Sequence, residues 1–394
     1  QKRTFVIAIM LTRLLLVLAA AVPAAAYNVG PRTLSRGASA SAVVARPRAQ
    51  FARVPENALA RVSMSDAAAT PEPEPEPKVA AAVGSLAQTL KVGGLFGVWY
   101  IFNIVYNISN KQILNAFPFP WTMAAVQLGV GLLYLFPLWM SPLRKAPKLT
   151  VQEIKNLSPI ASMHCIGHLM TVISLGAGAV SFTHIIKAAE PFFSTVMSAI
   201  FLKSFFPIPV YLTLVPVVGG VAIASLTELS FSWLAFLTAM GSNTAFSLRA
   251  IFSKMAMDKP QGENMGAANL YGVLTIMSFL ALTPIALLIE TPAKLMAGWN
   301  AAIAAGYTSG WLLKTSFISG LFYYLYNEVA FLCLDNVHPI THAVGNTIKR
   351  VVIILASVIV FNTPMTPLNK IGSSLAIFGV LLYSLAKNYF PSKK

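Results

Sequence analysis

Residues 339–361 read Pro339-Ile-Thr-His-Ala-Val-Gly-Asn-Thr-Ile-Lys349-Arg350-Val-Val-Ile-Ile-Leu-Ala-Ser-Val-Ile-Val-Phe361. At about 1.5 Å per residue, a helix of this length crosses the ~30 Å of hydrocarbon in a bilayer. Two adjacent cations sit in its middle. Arg350 lies about 16 Å of helix from either end, too deep to snorkel to an interface. A charge there costs roughly 2.5–3.5 kcal/mol on insertion, so it marks a functional site by default.

The pattern recurs. Thr183-His184 returns as Thr341-His342, 158 residues later, and the same offset carries Pro209 onto Pro367 and His168 onto Tyr326. Apolar runs long enough to span occur at 92–114, 121–140, 157–177, 180–202, 208–228, 231–255, 267–290, 315–334, 339–361 and 369–389. Five of these spans separate the two copies, and an odd number inverts the second copy in the membrane. The sequence therefore predicts an all-α membrane protein of ten helices in two inverted repeats, 92–228 and 231–389, within a transporter domain over 80–394. Inverted-repeat transporters carry their substrate near the midplane between the halves. The connection 291–314 has room for an extra surface helix.

Composition agrees with a membrane body. Of 394 residues, 56% are hydrophobic and only 11% charged, against about 25% charged in soluble domains. The net charge of +16 is spread singly through loops, without the basic stripe and interleaved aromatics of a nucleic-acid surface. Loop cations fix topology: Arg144, Lys145, Lys148, Lys155, Lys203 and Lys259 fall on the side shared with both termini, which the positive-inside rule makes stroma-like. Cys165 and Cys333 sit in apolar runs and act as small hydrophobes.

Within the spans, Lys187, Lys349 and Arg350 stand out, and Glu190 follows Lys187 at i+3 on the same helix face. Glu328 is the other in-span acid. Arg249, near a span end, is expected to snorkel. If Glu328 points elsewhere, the three central cations keep a surplus of about two charges, which a phosphate dianion matches in charge and acceptor oxygens. His168 and Thr171, at i and i+3, share one face, and Tyr326 is mid-span. These six residues form the candidate substrate site: His168, Thr171, Lys187, Tyr326, Lys349 and Arg350.

Other chemistries lack their residues. His164 and His168 have zinc-helix spacing, but Cys165 replaces the glutamate and no third ligand is evident, so no metal is expected. There is no nucleophile elbow, Gly-rich phosphate loop or paired in-span carboxylates, so neither an enzyme nor a cofactor is expected. His184, His338 and His342 read as helix-end residues, and the acceptor-like Asn107-Ile-Ser109 lies inside a span.

The front of the chain reads as targeting sequence. Lys2 and Arg3, the apolar Leu14 to Val22 and Pro23-Ala-Ala-Ala26 form a signal peptide over 1–26. Residues 27–79 then hold an Arg- and Ser-rich, acid-poor transit peptide followed by the stiff Pro/Glu spacer 71–78. Signal plus transit peptide, with Tyr27 after the cleavage site, resembles the bipartite presequence of secondary plastids.

Three segments carry a family resemblance: Val180-Ser-Phe-Thr-His-Ile-Ile-Lys187-Ala-Ala-Glu190-Pro-Phe-Phe193, Ala224-Ser-Leu-Thr-Glu-Leu-Ser-Phe231, and Thr341 to Arg350. From about residue 92 to 390 the chain resembles the plastid triose-phosphate/phosphate translocators of the drug/metabolite transporter superfamily. The resemblance implies ten helices in the drug/metabolite transporter fold and a location in the plastid inner envelope. It also implies exchange of inorganic phosphate for triose phosphate or 3-phosphoglycerate, with the six candidate residues around the phosphate. Thr341-His342 is closer to triose-phosphate members than to hexose- or pentose-phosphate members. Glu328 replaces the usual Gln, an added acid expected near the site. Phosphoenolpyruvate or hexose-phosphate exchange uses the same pocket, a nucleotide-sugar transporter shares the fold, and a membrane-embedded enzyme is the alternative of another class.

Overall fold

A computed structural model describes residues 78–256, 262–336 and 339–390. The expected signal peptide and transit peptide and nearly all of the expected spacer lie outside the described residues, as do Lys259 and His338. By its contacts the chain divides into Gln1–Ala87 and Gln88–Lys394, and the second unit holds the helical bundle.

Among the described residues every extended element is a helix: α1 (Lys78–Ala116), α2 (Pro120–Met140), α3 (Val151–Ala177), α4 (Val180–Lys187), α5 (Glu190–Leu202), α6 (Ile208–Leu212), α7 (Leu214–Leu226), α8 (Trp233–Ala256), α9 (Ala267–Ile289), α10 (Pro292–Ala304), α11 (Ser309–Asn336), α12 (Pro339–Phe361) and α13 (Pro367–Tyr389). Eight stretches among the described residues are long and apolar enough to cross a membrane: 91–116, 120–140, 151–177, 180–202, 208–226, 267–289, 341–361 and 367–389. Two further helices, α8 and α11, have the length but are not among the eight. Polar residues such as Asn243, Ser247 and Arg249 in α8, and Asn327 and Glu328 in α11, dilute their apolar runs.

Two expected spans are interrupted. The 180–202 span breaks at Ala188 and Ala189, whose amides close tight turns onto Ile185 and Ile186. Pro191 lacks the N–H that would bond the Lys187 carbonyl, which ends the helix there. Lys187 and Glu190 therefore lie on either side of a break, and the single continuous helix face expected from their i+3 spacing is corrected. Pro216 removes the partner of the Leu212 carbonyl in the same way, where α6 gives way to α7. Helix α10 occupies the connection that had room for an extra helix.

Packing places a polar interior between apolar seams. Helices α7 and α13 cross closely, through glycines. A Cβ on Gly220 would stand 2.3 Å from the Ala376 nitrogen, and one on Gly372 2.6 Å from the Ala224 nitrogen. Such small-residue contacts drive helix association where lipid removes the hydrophobic drive. Helix α3 packs along α8, while α2 lies against α9 and α11. Outside the helices, Lys148 and Glu263 form an antiparallel backbone bridge that ties the α2–α3 loop to the α8–α9 loop. Gly262, at φ +84°, permits that turn: a Cβ there would meet the Lys148 oxygen at 2.7 Å.

Candidate functional site

A cavity of about 280 Å³ opens inside the bundle, lined from α1, α3, α4, α5, α8, α11 and α12. All six candidate residues reach it: His168, Thr171, Lys187, Tyr326, Lys349 and Arg350. The helix break after Lys187 sets one wall. It lets the α4 and α5 ends turn toward the centre, so that Lys187 and Glu190 both face the cavity.

Lys187 is buried, and its ammonium donates to Ser242 Oγ at 2.7 Å and Thr171 Oγ1 at 3.2 Å. The Thr171 hydroxyl in turn donates to the Gly167 carbonyl at 2.8 Å. Thr171 thus steadies the ammonium. On the opposite side, Arg350 Nη2 donates to Glu190 Oε2 at 2.6 Å. Lys349 Nζ stands 4.5 Å from the Trp99 ring centroid, and Trp99 stacks on His342 at 5.1 Å. Cation–π contacts of this kind hold a charge without neutralising it.

The aromatic walls are layered. Tyr326 lies 5.2 Å from the Tyr106 ring, and His168 lies 4.0 Å from Tyr323. His168 Nε2 donates to the Ala124 carbonyl at 3.3 Å, which assigns its proton to that nitrogen. His184 Nε2 meets Asn107 Oδ1 at 2.8 Å, and Asn107 is itself fixed by Asn103.

Arg249 departs from the sequence expectation. Rather than snorkelling, it lines the cavity with its guanidinium 4.8 Å from the Phe246 centroid and Nη1 2.8 Å from His164 Nδ1. His184 and His342, expected as plain helix-end residues, line the cavity too. Both were findable: they are related by the 158-residue offset that also relates His168 and Tyr326.

Glu328 corrects another expectation. It does not line the cavity. It is buried against Arg144 of the α2–α3 loop, with which it forms an ion pair. Among the described residues the cavity is therefore lined by four basic side chains, Lys187, Arg249, Lys349 and Arg350, against one carboxylate, Glu190. Glu190 pairs with Arg350, and none of the other three has an ion-pair partner among the described residues. A strongly cationic chamber with hydroxyl and aromatic walls is suited to a small multivalent anion. His164, whose Nδ1 accepts from a guanidinium, is turned away from the metal role its spacing raised.

Residues 90–384 match the model of the Triose-phosphate Transporter family. The chain is 44% identical over 302 residues to a glucose-6-phosphate/phosphate translocator of Arabidopsis thaliana, covering 76% of each chain. It is 44% identical to a phosphoenolpyruvate/phosphate translocator of Oryza sativa subsp. japonica, covering 79% of this chain and 75% of that one. It is 43% identical to the triose phosphate/phosphate translocator of Flaveria pringlei, covering 80% and 76%. By this match, with its cationic chamber inside a helical membrane body, the chain belongs to the triose-phosphate transporter family.

Proposed function

We propose that the protein is an antiporter that exchanges inorganic phosphate for triose phosphate or 3-phosphoglycerate across a plastid envelope membrane. The observation that carries the reading is the charge of the cavity, four basic side chains against one carboxylate. Phosphate oxygens accept from Lys187, Lys349 and the remaining donors of Arg350, while Thr171, His168 and Tyr326 complete the wall. A chamber of about 280 Å³ lies at the small end of ligand pockets, which favours a three-carbon ligand over a six-carbon one.

The charge also explains coupling. Occluding Lys187, Lys349 and Arg249 unpaired costs several kcal/mol, whereas bound phosphate offsets about two of the three charges. Ligand therefore stabilises the occluded state differentially, and only the loaded carrier changes sides quickly. The substrate leaves chemically unchanged, as in a carrier and not an enzyme.

Ten helices in two inverted repeats support this alternating access. In this reading α8 and α11 are the two further spans, their polar faces turned to the chamber, and the breaks at Ala188 and Thr213 give the hinge-like half-helices common in such carriers. The amino-terminal signal and transit segments point to the inner envelope of a secondary plastid.

Relatives named for glucose 6-phosphate and phosphoenolpyruvate are as similar as the triose-phosphate one, so exchange of those substrates is the second reading. Competition against labelled phosphate uptake into proteoliposomes separates the two. Strongest inhibition by dihydroxyacetone phosphate and 3-phosphoglycerate is expected. Strongest inhibition by glucose 6-phosphate or phosphoenolpyruvate would reassign the substrate, and inhibition by nucleotides alone would overturn the phosphate exchanger.

A further inference from the structure

The Lys187 ammonium is held by two hydroxyls, and one of them comes from behind the chamber wall. Ser242, on α8, is buried and is not among the residues that line the cavity. It reaches Lys187 because α3 and α8 approach closely at this level. A Cβ on Gly167 would stand 2.9 Å from the Phe246 ring, and one on Gly241 2.5 Å from Met170 Sδ.

The hydroxyl protons set which way these groups face. A lysine ammonium has three N–H donors and no acceptor, whereas a serine hydroxyl has one donor and two lone pairs. Thr171 gives its proton to the Gly167 carbonyl at 2.8 Å. The Ser242 hydroxyl lies 3.0 Å from the same carbonyl and 2.7 Å from Thr171 Oγ1, so its own proton has acceptors within the protein. Its lone pairs are left for the ammonium, which donates to it at 2.7 Å, against 3.2 Å for Thr171. Fixing two of the three N–H groups also fixes the direction of the third. Among the described residues no further acceptor holds that third N–H. The Phe246 face, 4.7 Å from Nζ, attracts the charge without neutralising it.

Resting on the exchanger reading above, we propose that Ser242 is a positioning residue for phosphate binding: it holds the Lys187 ammonium so that the remaining N–H is presented to the ligand in advance. Ser242 acts through Lys187 and does not touch the ligand itself. Such preorganisation lowers the ordering cost of binding, which is large for the flexible four-carbon stem of a lysine.

The test measures phosphate affinity of the full chain in two ways. One is the KM for labelled phosphate in phosphate–phosphate exchange by proteoliposomes, and the other is phosphate-induced thermal stabilisation of the detergent-purified protein. Ser242→Ala should weaken phosphate about fivefold or more by both, the loss of one hydrogen bond to a charged group. Ser242→Cys, close in shape but with a weakly accepting sulfur, should do the same. In Lys187→Met there is no ammonium to hold, so adding Ser242→Ala should change phosphate-induced stabilisation no further. Wild-type affinity in either single Ser242 variant overturns the proposal. So does an equal loss from Ser242→Ala with and without Lys187, which is how a residue that only packs would behave. Wild type that neither exchanges phosphate nor is stabilised by it would instead sink the exchanger reading, so the two failures are distinguishable.

Discussion

Arg350 and Glu190 meet at 2.6 Å across the cavity, the arginine from the middle of α12 and the glutamate from the first turn of α5. That pairing decides the electrostatics of the site. Glu190 follows Lys187 by three residues in sequence, but the break at Ala188 and Ala189 lets it serve a partner 160 residues away. Lys187 is left to hydroxyl groups.

Lys187 therefore stabilises nothing by ion pairing, while its burial carries a desolvation cost. Lys187→Met should leave thermal stability in detergent unchanged or raised, and lower phosphate exchange about 30-fold or more, equivalent to about 2 kcal/mol of lost charge contact. Thermal unfolding and exchange rates on one preparation check both halves. A destabilised variant with normal exchange contradicts the assignment.

Glu328 should behave in the opposite way. Its partner Arg144 is largely buried, with an 18% exposed side chain against 5% for Glu328. Glu328→Ala leaves that guanidinium unpaired, a loss of about 3–5 kcal/mol where such pairs are broken. Because Glu328 does not face the cavity, the order in which phosphate esters compete should not change. A reordered competition series would place it in the site after all.

The α7–α13 seam is set by backbone approach, so a larger side chain cannot be absorbed by rotamer changes. Gly220→Val should cost about 1–3 kcal/mol, with a lowered unfolding temperature and an unchanged KM for phosphate in the protein that remains folded. An unaffected unfolding temperature would mean the helices are not in contact there.

One pH dependence can be read at the surface. The Lys148 ammonium hydrogen-bonds Glu263 at 2.9 Å and holds its carboxyl below the usual carboxylate range, while that bond raises Lys148. For Glu263 the folded value is depressed, so its contribution is present above the ordinary carboxylate range and fades as pH falls through the folded value. For Lys148 it is present below the ordinary lysine range and fades as pH rises through the folded value. Both groups are fully solvated, so the effect is small. The unfolding temperatures of wild type and Glu263→Gln should differ slightly near neutrality and converge in acid and in high salt. A difference that persists in acid rules this account out.

Much of this site was legible in sequence because a charge inside an apolar run is a local, one-dimensional signal. Lys187, Lys349 and Arg350 announce themselves that way, and the 158-residue offset finds His168 with Tyr326. The same offset relates His184 to His342, both of which line the cavity, but helix-end histidines carry no local mark of depth. The distance of Arg249 from its span end implies snorkelling, and only the fold reveals that α8 turns it toward His164. The break after Lys187 had a cue in Pro191, whose missing N–H acts on the residue four before it. The Arg144–Glu328 pair joins residues 184 apart, and no local pattern encodes such a partnership. Likewise, α8 and α11 show weaker apolar signals because their polar residues serve the interior.

The most direct test of the central claim is labelled phosphate uptake into proteoliposomes made with and without internal phosphate or triose phosphate. The cationic chamber predicts rapid uptake into loaded vesicles and almost none into empty ones, with loaded uptake lost in Lys349→Ala and Arg350→Ala. Equal uptake into loaded and empty vesicles, or wild-type exchange in those variants, would contradict it.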